Sequence, residues 1–195
     1  MPQGLRWFMI PRSSMGLANW LTIVRILLVP VFVICLVYNR VLLALGTFVV
    51  AGVTDMMDGY IARSRGTKTR LGAFLDPLAD KLLLTASFIT LTYKFPKVLP
   101  FWLTAIVLSR DLLLILVAVL IMLTGGALNP MPTGLGKTST VVQMVTAGAA
   151  LLVVGGGHDF WLIRKGLLIL TAALTIGSGI QYLILAPRYV DWGAR

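Results

Sequence analysis

Acidic residues are scarce in this 195-residue chain, which has seven of them against 17 lysines and arginines and contains no glutamate. Four of the seven, Asp55, Asp58, Asp76 and Asp80, lie close together between long apolar runs. An ionised carboxylate in apolar surroundings costs several kcal/mol unless a cation or a partner neutralises it. The concentration of negative charge in one segment therefore indicates a bound divalent metal ion.

Cysteine and histidine each occur once. The single cysteine, Cys35, lies inside an apolar run, which argues against a disulfide and against a thiolate metal site. We expect Cys35 to be a small core or lipid-facing residue. The single histidine, His158, is predicted in a loop far from the aspartates, so zinc is a poor candidate for the metal.

Charge of either sign is limited, since charged residues make up 12% of the chain and hydrophobic residues 58%, with a mean hydropathy of +0.92. This composition excludes a soluble globular domain and predicts an all-α, polytopic membrane bundle, because membrane-spanning helices satisfy their own backbone hydrogen bonds. The net charge of +10 then indicates contact with anionic lipid headgroups rather than with nucleic acid.

Six apolar stretches are long enough to cross about 30 Å of hydrocarbon as helices. They cover 19–38, 41–62, 77–95, 99–123, 138–156 and 166–186. The pattern predicts an interfacial segment at 1–16, a membrane domain at 17–187 and a cytoplasmic tail at 188–195. With the N-terminus inside, more lysines and arginines fall on the cytoplasmic side than outside, which favours cytoplasmic termini.

In this topology the four aspartates lie near the cytoplasmic face, at the end of the second span and the start of the third. The i, i+3 spacing of Asp55 and Asp58 and the i, i+4 spacing of Asp76 and Asp80 each place two carboxylates on one helical face. Their oxygens suit a hard cation such as Mg²⁺ or Mn²⁺. A divalent-cation channel or transporter lined by these aspartates is a remote alternative, disfavoured because the other spans carry no matching acids at greater depth.

Small residues accompany the aspartates, at Gly59, Ala62 and Gly72. They allow helices to approach closely in lipid, and they also leave room for a nucleotide beside the backbone. The complete pattern over residues 55–80 is DxxDGxxAR, eight further residues, then GxxxDxxxD. It resembles, position by position, the signature of the CDP-alcohol phosphatidyltransferase family.

The resemblance extends over about residues 17–187. The segments LGAFLDPLADKLL and GKTSTVVQMV are similar to the bacterial phosphatidylglycerol phosphate synthases of the family, whereas the LTY…SRD segment is similar to its eukaryote-type cardiolipin synthases. It implies transfer of the phosphatidyl group from CDP-diacylglycerol to glycerol 3-phosphate with release of CMP; the alternative acceptor is phosphatidylglycerol, which gives cardiolipin. It also implies a homodimer. The expected setting is a bacterial inner membrane, among membrane lipids, with the active site facing the cytoplasm as the lysine and arginine counts favour.

The resemblance assigns roles to the residues that match the family pattern. The four aspartates are expected to hold two Mg²⁺ or Mn²⁺ ions, and Asp80 to accept the proton of the attacking hydroxyl. The expected CDP-binding residues are Asn19, Thr22, Asp58, Gly59, Ala62, Arg63 and Gly72. For Asn19 a helix N-cap is an alternative. Arg25, one turn beyond Thr22, either pairs with a site aspartate or extends toward the interface.

An acceptor that bears its own phosphate needs cations, and the expected candidates are Lys81, Arg110 and Lys137. The alternative for Arg110 is an ion pair with Asp111 or with a site aspartate, and Lys81 could instead screen the aspartates. The bacterial synthases usually have Arg-Glu pairs here, whereas this chain has Arg110-Asp111 followed by an apolar run. This departure keeps phosphatidylglycerol open as the acceptor.

Overall fold

Six α-helices form the bundle in the computed structural model, which describes residues 17–65, 70–123, 127–128, 134–156, 161–185 and 190–191, with side chains at 24–54, 81–117, 134–156 and 162–185. The helices are α1 (Leu17–Val37), α2 (Val41–Arg65), α3 (Arg70–Lys94), α4 (Phe101–Leu123), α5 (Gly134–Gly156) and α6 (Trp161–Leu185). The predicted all-α class is confirmed. The predicted interfacial segment 1–16 and the loop with His158 lie outside the described residues.

The helices extend beyond the apolar stretches that predicted them. The third begins at Arg70 rather than at residue 77, and the sixth begins at Trp161 rather than at residue 166. Hydropathy marks only the part of a helix that suits lipid, whereas backbone hydrogen bonding continues into the polar ends. Asp76 and Asp80 therefore lie well inside α3, and Arg164 and Lys165 lie on α6 rather than before it.

The turn between α1 and α2 is built around Asn39, which has a φ of 59°. The Arg40 N–H donates to the Cys35 carbonyl at 2.8 Å, as in a Schellman motif that ends a helix with a residue in the left-handed region. The sequence break at Asn39 and Arg40 is thereby confirmed. Because the turn is short, α1 and α2 run antiparallel.

The core forms where α1 packs against α2 and α3, while α5 packs against α6 and α2, and α4 packs against α6. Phe32 of α1 and Phe48 of α2 meet with ring centroids 6.0 Å apart. Phe88 of α3 is fully buried in the same cluster, and the partly buried Cys35 packs against it. Of the two roles expected for Cys35, a small core residue or a lipid-facing one, the structure supports contact with the core.

Replacing Phe88 by alanine should lower the free energy of unfolding by about 3–5 kcal/mol, because its ring fills a buried space that would become a cavity. Unfolding in mixed detergent micelles measures this change. The matched control on the same helix is Tyr93→Ala, because Tyr93 is 84% exposed and its loss should change stability little. Equal effects of both substitutions would contradict the described core.

The outward faces of the helices are strongly apolar. Leu27, Leu42, Leu112 and Ile169 are each more than 60% exposed, a pattern that indicates contact with lipid rather than with water. Among the described residues, Gly134–Gly156 and Leu162–Leu185 are long and apolar enough to span a membrane, and only 33% and 17% of their apolar windows are buried in the bundle. The six crossings stay a prediction.

A line of polar side chains runs along the contact between α5 and α6. Gln143 donates to Thr175 at 3.0 Å, and the Thr146 and Thr171 hydroxyls hydrogen-bond each other at 2.6 Å. Ser139 joins Thr175 at 3.3 Å. Interhelical hydrogen bonds of this kind hold membrane helices together where lipid provides no hydrophobic driving force.

A short antiparallel ladder was not predicted. It pairs β1 (Ala127–Leu128) with β2 (Val190–Asp191), so that the connection after α4 contacts the C-terminal tail. Two residues per strand give no periodic sequence signal.

Candidate active site

The helical positions of the four aspartates occupy two levels in the bundle. Asp55 lies ten residues before the end of α2, and Asp80 lies ten residues after the start of α3. At a rise of 1.5 Å per residue, both are about 15 Å from the four-residue connection between the helices. Asp58 and Asp76 are both about 10 Å from it by the same measure. Each level thus takes one aspartate from each helix.

The opposite ends of the helices give the same alignment. Lys94 at the end of α3 donates from Nζ to the Val37 carbonyl at the end of α1, at 2.7 Å. Counted from this end, Asp55 is 14 residues along α2 and Asp80 is 14 residues back along α3. Since α2 and α3 both pack against α1, the two positions have the same depth. The side chains of the four aspartates lie outside the described residues.

Arg25 lies on α1 close to this depth, 12 residues before the helix ends. Its side chain is fully buried, so the alternative in which it extends to the interface is wrong. A guanidinium buried at the level of two carboxylate positions favours the other alternative, in which Arg25 pairs with a site aspartate. Asn19 is the third residue of α1, which does not support a helix N-cap.

Lys81 and Arg110 converge on one carboxylate, that of Asp111. The Lys81 Nζ is 2.7 Å from Asp111 Oδ1, and one terminal nitrogen of Arg110 is 2.8 Å from the same oxygen. The pairing of Arg110 with its neighbour, one of the two alternatives, is thus observed. Two cations share one anion, so this cluster carries a net positive charge next to Asp80.

Ser178 of α6 fixes the other side of the Arg110 guanidinium. Arg110 Nε donates to Ser178 Oγ at 3.2 Å, and the Ser178 hydroxyl donates to the Thr175 carbonyl at 2.9 Å. Among the described residues, the second terminal nitrogen of Arg110 makes no hydrogen bond. Arg110 is therefore held on two sides with donor capacity remaining.

The family model for CDP-alcohol phosphatidyltransferases matches residues 15–177, which include α1 to α5, the four aspartates and the Arg110 cluster. This chain belongs to the CDP-alcohol phosphatidyltransferase family. The predicted recognition and the predicted enzyme class are confirmed, and the apolar outward faces agree with a membrane protein.

Relatives within the family bear two kinds of name. The chain is 35% identical over 182 residues to a "Probable phosphatidylglycerophosphate synthase" of Mycobacterium tuberculosis, covering 89% of this chain and 82% of the relative. It is 34% identical over 173 residues to a "CDP-diacylglycerol--glycerol-3-phosphate 3-phosphatidyltransferase" of Haemophilus influenzae, covering 86% and 91%. It is 33% identical over 180 residues to the human "Cardiolipin synthase (CMP-forming)", covering 84% and 59%.

The remaining residues predicted from the family pattern are placed on helices near the aspartates. Gly59, Ala62 and Arg63 lie in the last two turns of α2, Gly72 lies in the first turn of α3, and Thr22 lies in the second turn of α1. Their side chains are outside the described residues. Lys137 is exposed in the first turn of α5, and among the described residues it contacts neither Lys81 nor Arg110.

Asp111 and Ser178 were not among the predicted site residues, although both contact Arg110. A signal for Ser178 was present, because Thr171, Thr175 and Ser178 follow a helical period in an otherwise apolar span. Polar residues with that spacing mark one face of a helix. No spacing rule could show that this face meets α4.

Proposed function

We propose that this enzyme transfers the phosphatidyl group from CDP-diacylglycerol to glycerol 3-phosphate and releases CMP. The observation that carries the proposal is the cationic pair Lys81 and Arg110 on Asp111, at the depth of the family's aspartates. A pair of cations beside the reacting carboxylates suits an acceptor with its own phosphate group. Relatives named as phosphatidylglycerophosphate synthases support the same acceptor.

Asp55, Asp58, Asp76 and Asp80 would hold two Mg²⁺ or Mn²⁺ ions on the donor side of the site. The ligand set fits such ions, since it consists of carboxylates only, two from each of two helices that both pack against α1, and divalent ions of this kind prefer oxygen ligands. When bound, these ions would neutralise the charge of the donor pyrophosphate. Asn19, Thr22, Gly59, Ala62, Arg63 and Gly72 would surround the cytidine and its phosphates.

Asp80 is the proposed base. It takes the proton from the acceptor hydroxyl. The oxygen of that hydroxyl then forms a bond to the phosphorus that carries diacylglycerol, and the bond from this phosphorus to CMP breaks. Lys81 follows Asp80 in the chain and is held by Asp111, which keeps its positive charge near the acceptor. A fixed cation at this place attracts the acceptor phosphate without any further rearrangement of the protein.

Arg110 would bind the acceptor phosphate directly. Its side chain is 11% exposed, its guanidinium is fixed by Asp111 and Ser178, and one terminal nitrogen has no hydrogen bond among the described residues. Arginine donors match phosphate oxygens in a planar fork. Lys137, exposed at the start of α5, would attract the anionic acceptor from the aqueous side.

The proposed setting is a bacterial inner membrane, crossed six times, with both termini and the active site in the cytoplasm and with a homodimer as the functional unit. Soluble glycerol 3-phosphate then reaches the aspartate level from the water side, while the lipid tails of the donor remain in the bilayer. The excess of cytoplasmic lysines and arginines supports this orientation.

Cardiolipin synthesis is the second candidate. The specific observations that favour it are the Arg110-Asp111 pair, which departs from the Arg-Glu pattern of bacterial synthases, and the human relative named cardiolipin synthase. The same metals and the same base would serve with phosphatidylglycerol as the acceptor.

A comparison of acceptors tests the proposal. The purified chain in detergent micelles receives CDP-diacylglycerol and Mg²⁺ with glycerol 3-phosphate or with phosphatidylglycerol, and both CMP release and the lipid product are measured. Glycerol 3-phosphate should give phosphatidylglycerol phosphate at the higher rate. Turnover with phosphatidylglycerol alone would replace the first candidate by the second, and divalent-cation flux without CMP release would revive the channel.

Replacing Ser178 by alanine should raise the KM for glycerol 3-phosphate several-fold and leave the KM for CDP-diacylglycerol unchanged. The substitution removes one hydrogen bond that orients Arg110, and a bond to a charged group contributes about 1.5–3 kcal/mol at most. Ser178→Thr keeps the hydroxyl and should restore the lower KM. A fall in kcat alone, or a change in both KM values, would contradict a positioning role.

A further inference from the structure

A cavity of about 560 Å³ lies between α5 and α6, at the end of the bundle opposite the aspartates. Its volume falls within the roughly 300–1,000 Å³ of ligand pockets. Its walls are almost entirely aliphatic and include Ala150, Leu152, Ile163 and Leu167. We call it the α5–α6 cavity. The proposed transfer reaction makes no use of it.

The α5–α6 cavity opens toward lipid rather than into the core. Ile163 and Leu152, which line it, are 69% and 60% exposed. The helices on either side are the two that are long and apolar enough to span a membrane among the described residues. A cavity with an apolar lining and an apolar rim, in the wall of a membrane helix pair, is accessible to lipid chains.

The cavity has the depth of one bilayer leaflet. Along α5 it extends from Gly156, at the helix end, to Thr146, ten residues earlier. This distance is about 15 Å along the helix, which is half of the roughly 30 Å of hydrocarbon in a bilayer. The Thr146 hydroxyl at the inner end is already hydrogen-bonded to Thr171, so a ligand at this end needs no polar group.

A cation lies at the outer end of the cavity. Arg164 lines it together with Val98 and Gly156, and Arg164 donates from one terminal nitrogen to the Lys97 carbonyl at 3.0 Å. Lys97 and Lys165 are exposed beside it. Asp159, in the connection between α5 and α6, is the one acid that the sequence places at this end, against five lysines and arginines.

We propose that the α5–α6 cavity binds an anionic phospholipid, with one acyl chain between the two helices and the phosphate at Arg164. The aliphatic cavity of leaflet depth matches an acyl chain, and its rim, open to the bilayer, allows that chain to enter. The positively charged mouth matches the phosphate of the headgroup. Electrostatic attraction adds about 1 kcal/mol per lysine or arginine near an anionic headgroup. The bound lipid fills the space between α5 and α6 and is separate from the donor lipid at the aspartates.

Native mass spectrometry of the purified full chain tests this proposal, with phosphatidylserine and phosphatidylcholine as probes at equal concentration. The wild-type protein should retain one phosphatidylserine with an apparent affinity about tenfold above that of phosphatidylcholine. Arg164→Gln should lower this preference about fivefold, which corresponds to about 1 kcal/mol for one cation near the headgroup. Arg40→Gln, the same change at the same end of the bundle but beside a different cavity, should preserve it.

A second pair of variants tests the cavity without changing charge. Gly156 lines the cavity, and a Cβ added there meets no atom within 4 Å, so Gly156→Leu should fold and obstruct the mouth, lowering retention of both lipids about tenfold. Gly46 is equally open on α2 and lines neither cavity, so Gly46→Leu should retain both lipids. Asp58→Asn should also retain the bound phosphatidylserine, because the aspartates are at the other end.

Several outcomes would overturn the proposal. Equal retention by Arg164→Gln and Arg40→Gln, or full retention by Gly156→Leu, would place the lipid elsewhere. A change of oligomeric state in Gly156→Leu would show that a second copy of the chain covers the cavity. Loss of the lipid in Asp58→Asn alone would assign it to the donor site. None of these results affects the proposed transfer reaction.

Discussion

Asp80→Asn is expected to abolish phosphatidyl transfer while leaving nucleotide binding measurable. A positioned base contributes about 10²–10⁴-fold to the rate, and asparagine cannot accept the proton of the attacking hydroxyl. Three carboxylates remain on α2 and α3 to hold the donor. The measurements are kcat from CMP release and the affinity for CDP-diacylglycerol by calorimetry in micelles.

Asp55→Asn is the matched control, since Asp55 and Asp80 share one depth on α2 and α3, which both pack against α1, and the two substitutions are chemically identical. This variant should weaken metal and donor binding together, because Asp55 is proposed only as a ligand. An equal loss of donor affinity in the two variants would contradict the division of roles between ligand and base.

Arg110→Gln is expected to raise the KM for glycerol 3-phosphate by about 10- to 100-fold, with little change in the KM for CDP-diacylglycerol. A hydrogen bond to a charged group contributes about 1.5–3 kcal/mol, and each 1.4 kcal/mol corresponds to a factor of ten in affinity. Arg110→Lys should restore little of this, since an ammonium group lacks the planar fork.

Arg40→Gln serves as the control for Arg110→Gln, because Arg40 lies at the opposite end of the bundle, in the turn before α2. It should leave both KM values unchanged. If Arg110→Gln raised the KM for the donor and the acceptor equally, Arg110 would belong to the donor site or to the structural framework. If it changed neither, the Asp111 ion pair would be its only role.

The cluster of Lys81, Arg110 and Asp111 has a structural cost that its proposed function explains. A charged side chain at membrane depth is costly even when neighbouring groups compensate for it, and two cations on one carboxylate leave a positive charge that this ion pairing does not neutralise. A purely structural ion pair needs no second cation. An anionic acceptor phosphate would complete the neutralisation, which agrees with the role proposed for Arg110.

The sequence predicted the helices but not where they end. Apolar stretches long enough for lipid indicated all six, and the break at Asn39 and Arg40 was predicted because polar residues interrupt two such stretches. The start of α3 at Arg70 was not predicted, since a helix needs only backbone hydrogen bonds to continue and its first turns carry polar residues. The contact of β1 with β2 depends on tertiary structure alone.

The sequence likewise predicted some features of the candidate site and not others. The sequence predicted that α2 and α3 contribute aspartates at one depth, because one pair lies at the end of the second apolar span and the other at the start of the third. The spacing within each pair predicted that its two carboxylates share one helical face. The sequence left open whether Arg110 pairs with Asp111, and the structure shows that it does. The contact from Arg110 to Ser178 joins residues 68 positions apart. It follows from how α4 packs against α6, which no local pattern encodes.

We propose that aspartates from α2 and α3 form one metal site, and a count of bound ions tests this directly. Electron paramagnetic resonance can count the Mn²⁺ ions bound per chain in the presence of CDP-diacylglycerol, for the wild-type protein and for Asp58→Asn and Asp76→Asn. We predict two ions in the wild-type protein and the same loss in both variants, since the two positions share a level although they lie on different helices. Full Mn²⁺ binding in either variant would contradict a shared site.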